Sequence, residues 1–177
     1  VHSWIAVKPS GAPAYTRYEV IGWRLYHGGS ALVVGAGVPD AYWFGSEPEV
    51  LAELRGAGVD EIIARVGAAA RTYPYPDRYS AWPGPNSNTF TAHIGRAVPE
   101  LRLDLPPTAV GKDYLGAGEI LVPSPSGTGY QLSLLGILGL MVAREEGIEV
   151  NFLGLTLGID FAAPALKLPG LGRLGWS

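Results

Sequence analysis

The chain contains no cysteine. That absence excludes disulfide staples, thiolate nucleophiles and thiolate zinc sites, and it leaves the redox compartment open. Histidine is scarce: His2, His27 and His93 are the three in 177 residues, and no HExxH-type spacing joins them. No metal and no cofactor is therefore expected. Charge is sparse as well, with 13 basic against 16 acidic residues, a formal net charge of −3 and no block of either sign, so nucleic-acid binding has no electrostatic footing. The longest apolar run, "LSLLGILGLMVA" at 132–143, is too short to span a bilayer and is interrupted by Ser133 and two glycines. A signal peptide is missing, and so is an initiating Met. The start at Val1 reads as a trimmed one, with any signal or anchor upstream.

What is abundant is apolar residues (47%), glycine (25) and proline (15), a composition that suits one domain, residues 1–177, with a real core and many tight turns. Residues 1–45 read as N-terminal strands: "SWIAVK" (3–8), "YTRYEVIGWRLY" (15–26), then "ALVVGAG" (31–37) and "DAYWFG" (40–45). Residues 46–98 read as a helical layer. Ser46 and Glu49 have capping-box spacing ahead of Val50, Leu51 and Leu54; a second helix is expected at about 59–72 and a third at about 87–98. The proline- and aromatic-rich segment 73–85 interrupts that layer as a surface loop, either one wall of a ligand groove or a packed lid. "DLPPTAVGKDYL" (104–115) reads as a loop. C-terminal strands follow over 120–161, including two long strands joined near "REEG", and 162–177 is an apolar tail broken by Pro and Gly that wraps the domain or meets a neighbour.

The stretch "GPNSNTF" (84–90) raises the one chemical question. Ser87 sits where the free N–H groups of the third helix point, an environment that favours developing negative charge. Serine, asparagine and threonine ahead of a helix are also the residues that cap it. As a nucleophile Ser87 needs a base. His2 at the first strand or His27 beside two glycines could supply one, whereas His93 lies over a turn along the same helix. Asp77, Asp104, Asp113 and Asp160 all stand as orienting acids, with nothing to choose among them.

The blocks "HSWIAVK", "YEVIGWR", "PGPNSNTF", "REEGIEVNFLGLTLGID" and "PALKLPGLGRLGW" closely resemble a bacterial family, domain of unknown function family 3750, over nearly the whole chain. That resemblance brings no established activity. Its members often carry a hydrophobic N-terminal segment, which implies a periplasmic or membrane-associated place in the cell envelope, with any anchor upstream of Val1.

A more distant likeness is to the PPPDE isopeptidases and the permuted papain-like (NlpC-related) hydrolases. In these a histidine opens an early strand and Asn-Cys-Asn-x-Phe opens a helix. Here His2 looks like their base, Ser87 stands where their cysteine stands, and Phe90 looks like the helix anchor. The likeness implies an α+β fold, an antiparallel sheet with a small helical layer in permuted papain-like (NlpC/PPPDE-like) architecture. It also implies a catalytic pair of Ser87 and His2, an oxyanion site at the helix N-terminus with Asn86 and Asn88, and a groove beside His27, Tyr79 and Trp82. A serine must lose its proton during attack, where a cysteine is already partly thiolate. Two functions are therefore expected in competition. One is a cell-envelope binding or structural accessory that meets a membrane or envelope protein through residues 131–176. The alternative is a Ser-His acyl hydrolase, amidase or esterase, acting on a peptide or ester.

Overall fold

The computed structural model describes residues 1–116 and 118–175. It opens with an antiparallel sheet of β1 (Trp4–Val7), β2 (Thr16–Val20) and β3 (Leu32–Ala36), in the order β1-β2-β3. The register sets Trp4 opposite Glu19 and Tyr18 opposite Val34. β2 ends at Val20, short of the expected run to Tyr26, because Gly22–His27 winds into a 3-10 helix that leaves Trp23, Tyr26 and His27 outside. The expected helix after Ser46 is absent: residues 47–55 form no regular element, and Val50, Leu51 and Leu54 are exposed. A two-turn helix whose apolar stripe meets no partner does not repay its nucleation cost.

The two remaining helices form. α1 (Val59–Arg71) carries Asp60 and Glu61 in its first turn and Arg71 in its last, the arrangement its dipole favours. α2 (Ser87–Ala97) packs with α1 against the three-stranded sheet around Val7, Val20, Val66, Phe90, Ile94 and Val98. His93 Nε2 lies 3.1 Å from the carbonyl of Ala69, so its proton ties α2 to α1. Burial holds the His93 imidazole below the usual histidine range.

The C-terminal half is a second, seven-stranded antiparallel sheet. Its strands are β4 (Leu121–Pro123), β5 (Gly129–Leu134), β6 (Leu138–Ala143), β7 (Gly147–Phe152), β8 (Leu155–Asp160), β9 (Ala165–Leu168) and β10 (Gly172–Gly175), paired in sequence order. "REEG" does join two strands, β6 and β7, but the two long strands expected over 131–161 are four shorter ones. The breaks fall at Leu135-Gly136 and Leu153-Gly154, whose φ values of 55°, 72°, 54° and 82° are those of hairpin turns with two left-handed residues. The apolar tail supplies β9 and β10 and so widens the sheet; its Trp176 lies outside the described residues. The whole is a mixed α+β fold with a small helical layer and antiparallel sheets.

The large sheet is inverted in polarity. Its buried face carries Gln131, Ser133, Glu149, Asn151, Thr156 and Lys167, each 3% exposed or less. Lys167 Nζ reaches both oxygens of Asp104 (2.7 and 2.8 Å), Glu149 Oε1 (2.8 Å) and the carbonyl of Glu146 (2.9 Å). The other oxygen of Glu149 takes Lys112, whose ammonium also donates to the Leu105 carbonyl at 3.1 Å. Burial alone would push the Lys112 pKa down; Glu149 and Asp113 outweigh it and hold the ammonium above the usual lysine range. Beside them Asp113 accepts from Gln131 and from Asn151 Nδ2 (2.7 Å), and Arg96 donates to Gln131. The opposite face is open and apolar.

Among the described residues no helix is long and apolar enough to cross a membrane. The expected periplasmic or membrane-associated location, with any anchor upstream of Val1, is corrected to this extent: the described residues themselves supply no membrane-spanning helix.

The ion network generates a stability prediction. Lys167→Met leaves Asp104 and Glu149 without their shared cation, and the expected cost is about 3–5 kcal/mol in urea unfolding, the range for a broken buried pair. A loss below about 1 kcal/mol would show that the charges are not coupled through Lys167.

Candidate functional site

α2 begins where its sequence calls for a cap, and the cap is Asn86. Its Oδ1 accepts from the backbone N–H groups of Asn88 (2.9 Å) and Thr89 (3.2 Å), while Thr89 Oγ1 accepts from Asn86 N–H at 3.1 Å, completing a capping box. The asparagine's amide donates to the carbonyls of Ala81 (3.1 Å) and Val110 (3.0 Å). Asn88 Nδ2 donates to Val110 O (2.9 Å) and Val1 O (3.2 Å), and Thr89 Oγ1 donates to Gly111 O (2.7 Å). Asn86, Asn88 and Thr89 thus clamp α2 to the 110–111 loop and to the start of the chain. The Asn88 N–H proposed for an oxyanion is occupied by the cap.

Ser87 is the first helical residue, 3% exposed. Its carbonyl accepts from Thr91 Oγ1 at 3.1 Å and lies 3.4 Å from Ser3 Oγ. Ser3 Oγ also lies 2.9 Å from Asn88 Oδ1 and 2.8 Å from Thr91 Oγ1, tying β1 to the first turn of α2. The cap role considered for Ser87 therefore belongs to its neighbour.

His2 sits one residue before Ser3, yet among the described residues no hydrogen bond joins it to Ser87. Its Nε2 faces Glu19 Oε2 at 3.2 Å, and its ring stacks on Trp43 with centroids 3.8 Å apart and planes 11° from parallel. The imidazole is 10% exposed. Glu19 also takes Arg17 at 2.7–2.8 Å. Burial raises the Glu19 carboxyl, but the hydrogen bonds from His2 and Arg17 and the charge of Arg17 hold it below the usual glutamate range. Glu19 is the carboxylate partner of His2 that sequence reasoning missed. The signal was available only through pairing: Glu19 faces Trp4 across the β1–β2 ladder, two residues along from His2.

The four aspartates proposed for that duty are elsewhere. Asp104 holds Lys167, Asp113 holds Gln131 and Asn151, and Asp160 holds Arg173 at 2.7 Å and the turn N–H groups of Ala162 and Ala163. Asp77 makes no bond to His2 among the described residues. His27 is exposed at the end of the 3-10 helix.

The proposed groove side chains diverge. The Tyr79 ring lies on Gly22, where a Cβ would meet it at 2.5 Å, whereas Trp82 Nε1 donates to the Leu153 carbonyl at 2.8 Å and its ring covers Gly154 at 2.9 Å from a would-be Cβ. The 73–85 segment is thus a strap from the 3-10 helix to the β7–β8 turn. A cleft of about 320 Å³ does exist, but on the flank of α2 that presents Thr89, His93 and Arg96, walled by Tyr75 and Tyr114. Ser87 and His2 do not line it.

A family model described as "Protein of unknown function (DUF3750)" matches residues 1–114, and the chain belongs to that family. Those residues include the three-stranded sheet, both helices and the Asn86–Gly111 clamp. No curated protein and no solved structure matches the chain.

Two outcomes follow from this geometry. Asn86→Ala removes the cap and both amide tethers and is expected to cost about 2 kcal/mol or more, against less than about 1 kcal/mol for Ser87→Ala in chemical denaturation. Equal costs would place the structural role on Ser87 instead. The stability held by Glu19 is complete above its ordinary pKa of 4.5 and is lost as pH falls through its lower folded value. The melting-temperature gap between wild type and Glu19→Gln is therefore expected to be widest at neutral pH and to shrink towards pH ~3. A gap independent of pH would remove Glu19 from the ionised state assigned to it.

Proposed function

We propose that this protein is a non-catalytic binding and structural module that acts through the apolar face of its seven-stranded sheet. One observation carries the reading. Fifteen apolar side chains, each 38–66% exposed, stand together on one side of strands β4 to β10 with no charged residue among them. A soluble monomer rarely leaves more than a few hundred Å² of contiguous apolar surface open to water. A face of that extent supports a protein partner reached through the strands from Leu121 to Leu174, which overlap the 131–176 region that the sequence marked for one. In solution the protein is expected either to associate through this face or to bind the apolar dye anilinonaphthalene sulfonate on it, and Leu140→Lys is expected to abolish whichever occurs. A monomer that takes up no dye contradicts the reading.

A second reading, acyl transfer by Ser87 on a permuted papain-like scaffold, is favoured by one specific observation: His2 already has an ionised, positioned carboxylate partner in Glu19. In that reading the imidazole turns its other nitrogen to Ser87, takes the hydroxyl proton as the oxygen attacks the acyl carbon, and returns it to the leaving group. The burial of Ser87, the Trp43 stack on His2 and the occupied Asn88 N–H weigh against it. A fluorophosphonate probe is expected to leave the wild type unlabelled; labelling that disappears in both Ser87→Ala and His2→Ala would establish the hydrolase instead.

A further inference from the structure

The apolar face is laid out in three rows that cross the sheet. Strand register puts Tyr130, Val142, Ile148, Ile159, Leu166 and Leu174 in one row. Leu121, Leu132, Leu140, Val150 and Leu157 form the next, and Leu134, Leu138, Phe152 and Leu155 the third. β7 is the fourth strand of seven, and Val150 lies on it in the middle row. The centre of the face is therefore Val150, 47% exposed, with Leu140 and Leu157 directly beside it.

These rows contain no charge and, apart from one tyrosine hydroxyl, no hydrogen-bonding side chain. A partner recognised by them offers no counter-charges and must itself be broad, apolar and close to flat. Among the described residues one surface of that description exists, and it is the same face on another copy. At 38–66% exposure, fifteen such side chains leave on the order of 1,000 Å² open on each copy, above the ~800 Å² per partner of a stable interface. Sheets stack face to face at about 10 Å with their strands within about 30°, side chains interleaving between them. A twofold pairing also buries the identical patch on both sides, leaving no second sticky surface to propagate a fibre.

We propose that two copies of this chain pair through the apolar sides of their seven-stranded sheets, forming a β-sandwich whose twofold axis passes beside Val150. The pairing rests on the docking role proposed above and names its occupant. In the dimer the leucine, isoleucine and valine rows become the middle of a core. The buried ion networks of Lys112, Glu149 and Lys167 lie on the outer side of each sheet, closed by the loop that carries Asp104 and Leu105.

Sedimentation velocity and native mass spectrometry of the wild type at micromolar concentration test this. The expected species has twice the 18.7 kDa chain mass. Val150→Lys and Val150→Glu each place two like charges side by side at the axis; each alone is expected to be folded by circular dichroism and monomeric, its dimer weakened about 100-fold or more. Mixed in equal amounts, the two variants are expected to recover a dimer containing one of each, a rescue that no unfolding artefact produces. A wild-type dimer unmoved by either substitution overturns the sandwich. A wild-type monomer overturns the second copy as occupant, and the dye then separates the two readings: Val150-dependent dye uptake leaves the docking role standing with another protein as occupant, while no uptake removes both. A monomer that floats with phosphatidylcholine vesicles in a Val150-dependent way assigns the face to lipid and overturns the pairing.

Discussion

The structure turns on Glu149, a buried carboxylate on the central strand of the large sheet that is held between two buried ammonium groups, Lys112 and Lys167. Taking such charges out of water costs several kcal/mol per ion, and only full coordination offsets that. Each lysine here also donates to a backbone carbonyl, and Lys167 adds Asp104. That requirement fixes which side of β7 faces inward. Strand alternation does the rest, because every second residue must then point the other way. With Glu149 and Asn151 committed to the interior, Ile148, Val150 and Phe152 are driven outward, and the hydrogen-bonded register carries the same choice across the neighbouring strands. The apolar face is a consequence of the ion network.

The same division of labour separates the two halves of the molecule. The first 116 residues have an ordinary apolar core between a small sheet and two helices. The second sheet meets that unit through polar contacts: Arg96 of α2 to Gln131, Lys112 to Glu149, and the Trp82 strap to the β7–β8 turn. Hydrophobic burial thus holds the first unit together, directional bonds join the second to it, and the second unit's own apolar surface faces outward. The Asn86–Ser87–Asn88 turn belongs to the joining apparatus. Its asparagines spend their amides on Val110 and Val1, which gives the residues on either side of Ser87 a structural task.

Much of this could be read from residues alone, and what could not has physical reasons. Strict alternation over "GIEVNF" and "LTLGID" announces strands, and the periodicity of Ile62, Ile63 and Val66 announces α1. The turns at Leu135-Gly136 and Leu153-Gly154 were hidden because leucine rarely adopts a left-handed backbone, whereas Asn-Gly or Asp-Gly would have marked them. The opposite error occurred at Ser46–Glu49, where a local cap signal had no surface to pack against. Alternation also leaves open which side is buried, and the positions of Lys112 and Lys167, lone lysines with no local signature, decide it. Glu19 escaped notice for a related reason, since its tie to His2 arises from strand pairing and not from sequence spacing.

The proposed docking role requires the outward apolar face of the large sheet to be covered when the protein is in solution. Photogenerated carbene footprinting reads this directly, because it labels side chains by their access to solvent without perturbing the contact. Leu140, Val150 and Leu157 are expected to be protected far beyond their exposure within one chain, while Val50 and Tyr26, 72% and 88% exposed and outside the large sheet, label freely. Labelling of all five in proportion to single-chain exposure would contradict the account.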